Sequence, residues 1–161
     1  MKDIQPVLSI KETDPFGLKG LDLKIRVPEK SEMFSREEAI TYIKGCDFPE
    51  SVDDLLLAWE VDSRFGPLED KIVLDAMCGP GRLGRELLCI GAKHVVFHDG
   101  DETMLLHAQT KAAETLKKGQ HMERVISPVD KIPIPDNSID LVICHNSTHQ
   151  LISTKKLQLV M

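Results

Sequence analysis

The spacing of apolar residues changes character at Lys71. Upstream, LDLKIRV alternates strictly, with Leu21, Leu23, Ile25 and Val27 on one face and Asp22, Lys24 and Arg26 on the other. That period of two predicts a half-buried strand, stopped by Pro28, for which VLSI at 7–10 is the candidate hairpin partner across the DPFG turn. Ser35 followed by Glu38 has the form of a capping box and predicts a helix from Arg36 to Lys44. Ser51 is placed to cap a second helix over VDDLLLAWEVDSRF. Its apolar stripe would be Leu55, Leu56, Trp59 and Val61, with Trp59 in the core and Gly66-Pro67 as the stop.

From Lys71 onward short apolar runs alternate with amphipathic ones. KIVLDAM, HVVFHDG, RVISP and IDLVICH read as strands. GRLGRELLCIG and ETMLLHAQTKAAETLKK read as helices, the second capped by Asp101. Apolar strands alternating with helices predict an α/β fold, a mostly parallel sheet with helices on both faces. Right-handed crossovers put the strand C-termini on one edge, where such sheets bind ligands. The organisation predicted is an N-terminal extension or lid over 1–66 and a ligand-binding domain over 67–161.

Composition narrows the class of partner. The 161 residues carry a net charge of -6, which argues against a dedicated nucleic-acid binder. No apolar run is long enough to span a bilayer and no signal peptide is visible. Cys46, Cys78, Cys89 and Cys144 form no C-x-x-C pair and read as free thiols of a reducing, cytoplasmic compartment.

The candidate chemistry sits in LDAMCGPGRLG. Gly79, Gly81 and Gly84 satisfy G-x-G-x-x-G, and Asp99 ends the next strand twenty positions after Gly79, where a carboxylate can accept ribose hydroxyls. Dinucleotide and adenosyl sites share this much. Asp75 separates them: beside the turn it would repel a pyrophosphate, but it complements the ammonium and sulfonium of S-adenosylmethionine. The backbone N–H groups of the turn would then be free for that ligand's carboxylate.

These residues resemble the class I S-adenosylmethionine-dependent methyltransferases. VLDAMCGPGRLG is similar to that family's first motif and VVFHDGDETML to its second. IPIPDNSIDLVICHNSTHQL is similar to the stretch around the fourth strand in small-molecule enzymes of the quinone-biosynthesis type. The resemblance covers Lys71 to Leu151 and implies a Rossmann-like sheet of order 3-2-1-4. It also implies S-adenosyl-L-methionine as cofactor, bound by Asp75, Ala76, Met77, Cys78, Gly79, Gly81, Asp99, Gly100, Met104, Val129, Asp130 and His145. Pro128 stands where many relatives carry an adenine-binding acid, so Asp130 or the backbone around Val129 would take that role. The family pattern continues for three more strands, so the C-terminal part reads as incomplete at Met161. The fourth strand would then be an apolar edge able to pair with a second copy.

His145 and His149 follow the fourth strand and are the candidate catalytic bases, needed only if the acceptor must lose a proton. Their i, i+4 spacing lacks a third ligand, so no metal is expected. His94 and His98, flanking the second strand, are expected to be structural. The segment His145-Asn146-Ser147-Thr148 is not the tetrad of enzymes that methylate exocyclic amines of DNA bases. With the acidic charge, it favours a small-molecule acceptor. The competing readings are a non-catalytic adenosyl-binding protein or fragment, and an NAD-dependent oxidoreductase.

Overall fold

The computed structural model describes residues 35–46 and 52–148. Two helices, α1 (Arg36–Cys46) and α2 (Val52–Phe65), precede a β/α unit: β1 (Ile72–Ala76), α3 (Arg82–Ile90), β2 (His94–Asp99), α4 (Glu102–Thr115), β3 (His121–Ile126) and β4 (Leu141–Ile143). All pairings are parallel and the order is β3-β2-β1-β4, as expected. Crossing from β1 to β4 reverses the strand order at the edge where the β1–α3 turn lies. The residues read as a strand over 21–27 and its hairpin partner lie outside the described residues, as do Ser51 and His149.

Alternation along the strands splits the core in two. Val73, Val95 and Phe97 point to one face, where they pack with Ala58 and Val61 of α2, Leu83, Leu87 and Leu88 of α3, and Leu105, Ala108 and Ala112 of α4. Leu74, Ala76 and Val96 point to the other face, covered by Ile132, Ile134 and Ile139 from the connection ahead of β4. The outer strand β4 leaves Val142 half exposed.

Local signals explain the element ends. Ser35 and Glu38 form the expected capping box, with Ser35 N–H donating to Glu38 Oε2 at 2.7 Å and Glu38 N–H to Ser35 Oγ at 3.3 Å. Asp101 caps α4 by accepting from the Thr103 and Met104 amides at 2.7 and 3.0 Å. Helix α2 is rotated from its expected orientation. Trp59 is 58% exposed and Leu56 is also exposed, whereas Ala58, Val61 and Asp54 are buried. Ala58 is small enough for α2 to lie close against α3, and Asp54 faces inward because Arg82 receives it.

The glycines of the β1–α3 turn have different reasons to be glycine. A Cβ on Gly81 would stand 2.5 Å from Ala108 Cβ and 3.0 Å from the Phe97 ring. One on Gly84 would collide with Phe97 and lie 2.9 Å from Asp75 Oδ2. Both let α3 sink against β2 and α4. Gly79 instead has φ +54 with nothing near the space a Cβ would enter. In urea unfolding, Gly84→Ala is therefore expected to lose about 2 kcal/mol or more through overpacking. Gly79→Ala should lose only about 1 kcal/mol, the backbone cost of a side chain at positive φ. Equal losses at the two positions would contradict this division.

Candidate functional site

The β1–α3 turn is held by the end of β2. Met77 N–H donates to His98 Nδ1 at 3.3 Å, Cys78 N–H to His98 O at 2.8 Å, and Gly79 N–H to Asp99 Oδ2 at 2.8 Å. Further along, Gly81 N–H donates to Cys78 O at 3.0 Å and Gly84 N–H to Asp75 Oδ2 at 3.0 Å. These amides therefore have acceptors inside the protein, contrary to the expectation that the turn's N–H groups await a ligand. Helix α3 has Gly81 at its N-cap and Asp75 on its Gly84 amide, which leaves the Arg82 and Leu83 amides of its first turn as the ones suited to a carboxylate.

A cavity of about 380 Å³ opens beside this turn. Tyr42 and Cys46 of α1 and Asp53 and Asp54 of α2 form one wall. Asp75, Cys78, Pro80, Arg82 and Leu83 form the floor, and His145 and Asn146 close the side beyond β4. Three carboxylates against one guanidinium favour a cationic ligand. Arg82 Nε donates to Asp54 Oδ2 at 2.8 Å and its Nη1 to Cys46 O at 3.2 Å, so a single side chain ties α1 and α2 to α3. His145 Nδ1 lies 3.8 Å from Asp54 Oδ1, beyond hydrogen-bond distance.

Asp75 is 2% exposed, and burial pushes its carboxyl up to about 7, opposed by the Gly84 amide and reinforced by the charges of Asp99 and Asp54. Burial also raises the Cys78 thiol well above its ordinary range, which leaves it a poor nucleophile. Asp99 engages both carboxylate oxygens, Oδ2 with Gly79 N–H and Oδ1 with Asp101 N–H at 2.9 Å. Gly100 is exposed beside it.

The structure brings Asp75, Cys78 and His145 to one cavity, with Met77 and Gly79 in the adjoining turn and Asp99 beside it at the end of β2. Val129 and Asp130 form a short 3-10 turn after β3, at the same sheet edge. Ala76 is fully buried on the far face of β1. Met104, expected beside a nucleoside, is 2% exposed and packs with Ala39 and Ile43, joining α4 to α1. Sequence reasoning missed Asp54 and Arg82. An acid among the helical positions of α2 reads as solvated, and the only signal for Arg82 was its place directly after Gly81. It also missed Ser147, whose Oγ lies 2.8 Å from Met77 O and 2.6 Å from His145 O, one hydroxyl proton serving both carbonyls.

The raised Asp75 carboxyl has a signed consequence for stability. Between its ordinary value near 3.8 and about 7 the folded chain binds more protons than the unfolded one, so this group's contribution is present below that window and lost as pH rises through it. At about 1.4 kcal/mol per tenfold change in proton affinity the loss amounts to a few kcal/mol. Asn at 75 keeps an oxygen for Gly84 N–H without the charge. Asp75→Asn should thus gain stability over the wild type at pH 8 but not at pH 4. Parallel urea-unfolding profiles for the two proteins would contradict the assignment.

Residues 73–161, more than half the chain, match the family described as methyltransferase domain. A structure of an S-adenosylmethionine-dependent methyltransferase from Aquifex aeolicus aligns with a TM-score of 0.60 and 28% identity, over 74% of this chain and 65% of that one. A structure described as an S-adenosyl-L-methionine-dependent methyltransferase of Methanococcus maripaludis aligns with a TM-score of 0.68 and 20% identity, over 83% of this chain and 62% of that one. Among curated sequences, the ribosomal RNA small subunit methyltransferase A of Nitrobacter winogradskyi is 44% identical over 52 residues, which is 32% of this chain. This chain spans only 18% of that relative's length. With a parallel β3-β2-β1-β4 sheet, a glycine turn after β1 and an acid ending β2, the chain belongs to the methyltransferase-domain family.

Proposed function

We propose that the protein transfers a methyl group from S-adenosylmethionine to a small acceptor bound under α1 and α2. The observation that carries the reading is the charge pattern around the β1–α3 turn. The buried Asp75 lies at the floor of an acid-lined cavity and accepts from Gly84 N–H in the first turn of α3, whose Arg82 and Leu83 amides follow a glycine N-cap. S-adenosylmethionine is a zwitterion with a second cation. Its ammonium and sulfonium suit the carboxylates, and its carboxylate suits the α3 amides. A dinucleotide would bring a pyrophosphate against Asp75 and Asp54. Asp99 would take the ribose hydroxyls with the lone pairs left by Gly79 and Asp101.

Methyl transfer from a sulfonium is an in-line displacement that depends on holding nucleophile and methyl near contact away from water. Under this reading α1 and α2 wall the acceptor, and His145 faces it as the group able to take a proton. His149 would share that role. The -6 charge and the acids on the cavity wall favour a small acceptor over a phosphate-rich one. A second reading, an RNA acceptor, is supported by the ribosomal RNA methyltransferase relatives, whose match covers a short segment.

Calorimetric titration of the purified chain is expected to show saturable binding of S-adenosylmethionine and none of NAD. Asp99→Ala should weaken the donor by about tenfold or more, as loss of a charged hydrogen-bond acceptor would. Binding of NAD alone would overturn the reading. Incubation with methyl-labelled donor and a cell extract then separates the acceptors: label is expected in the small-molecule fraction, and label confined to RNA would favour the second reading.

A further inference from the structure

His98 has no role in the chemistry described above, yet it is completely buried at the edge where that chemistry would occur. Its ring reaches two loops. Nε2 lies 3.0 Å from Ser127 O and 3.2 Å from Ser127 Oγ, after β3. Nδ1 accepts from Met77 N–H at 3.3 Å, after β1. A carbonyl oxygen can only accept, so Nε2 carries the proton toward Ser127 O and Nδ1 is left with a lone pair. That is the tautomer the Met77 amide requires. Burial lowers the affinity of the ring for a second proton, which keeps it neutral.

Met77 needs this support. It is a non-glycine residue at φ +55, a left-handed conformation that side chains disfavour. Such a residue persists where its surroundings over-determine it. Here the surroundings are the N–H bond to His98 Nδ1 on one side and, on the other, Ser147 Oγ 2.8 Å from the carbonyl, its proton shared with His145 O. Cys78, the next residue, lines the cavity, and Gly79 follows with its amide on Asp99. Relaxation of Met77 toward an ordinary φ would swing both.

We propose that His98 is a positioning residue for the methyl donor: its Nδ1 lone pair holds Met77 left-handed, the conformation in which the β1–α3 turn receives S-adenosylmethionine. This rests on reading the turn as the donor site. Two amide substitutions separate the halves of the ring. Asn at 98 puts its Oδ1 near the position of Nδ1, keeping an acceptor for Met77 and losing Ser127. Gln puts its amide near Nε2, keeping Ser127 and losing Met77.

Both variants remove an imidazole from the core, so unfolding by urea reports their common structural cost. Donor affinity is expected to divide them: His98→Asn within about threefold of the wild type, His98→Gln weaker by about tenfold or more. Equal weakening in both variants, or unchanged affinity in His98→Gln, overturns the positioning role while leaving the donor site standing. A wild-type chain giving no heat with S-adenosylmethionine overturns the donor site and this role with it. Ring-nitrogen NMR of the wild type gives a readout that needs no variant to fold. Protonated Nε2 with Nδ1 coupled to the Met77 amide is expected, and protonated Nδ1 overturns the proposal.

Discussion

Three consecutive amides of one turn, Met77, Cys78 and Gly79, are received by two consecutive residues at the end of the neighbouring strand, His98 and Asp99. The rest of the site depends on this clamp. It joins the first two parallel strands beyond the point where their ladder ends, and so carries sheet regularity into a loop that would otherwise be free to choose its shape. It also satisfies amides at a partly buried turn, where an unpaired donor is expensive. The clamp is rigid because β2 is central. Its flanks are paired on both sides, and Val95, Phe97 and His98 are all buried.

A turn fixed in this way leaves ligand recognition to charge and to what is unfilled. The turn's own amides are engaged, so the remaining polarity comes from the side chains of Asp75 and Asp99 and from the first turn of α3. Asp75 does double service. Its Oδ2 receives Gly84 N–H, which draws α3 in so closely that residue 84 has no room for a Cβ, and its charge is desolvated by the same packing. The packing that seats α3 is thus also the packing that raises the proton affinity of Asp75, and carboxylates with shifted proton affinity cluster at functional sites.

How far the sequence discloses this depends on whether a property is local. The β/α alternation, the Ser35 capping box and the Asp101 cap are local, and each is where the pattern of residues puts it. That Asp75 and Asp99 lie at one edge was legible because strand ends in a parallel sheet converge there by topology alone. Trp59 was misplaced because α2 has apolar residues on more than one face. Which face turns inward is decided by a tertiary pair, Asp54 with Arg82, that no window along the chain contains. The glycines were read as one motif, yet only Gly79 borders open space. Gly81 and Gly84 answer to Phe97, a residue more than ten positions away. His98, like His94, was read as structural from its place flanking the second strand. Its two bonds join loops separated by 50 positions of sequence, visible only once three strands are aligned.

α1 and α2 reach the rest of the protein by apolar packing, Ala39 and Ile43 on Met104, and Ala58 and Val61 in the main core. Their polar link is narrower. Arg82, the first residue of α3, holds Asp54 of α2 and the last carbonyl of α1. A charged hydrogen bond in such a half-buried place contributes about 1–3 kcal/mol, so one side chain, as well as two apolar faces, ties the helices to the sheet.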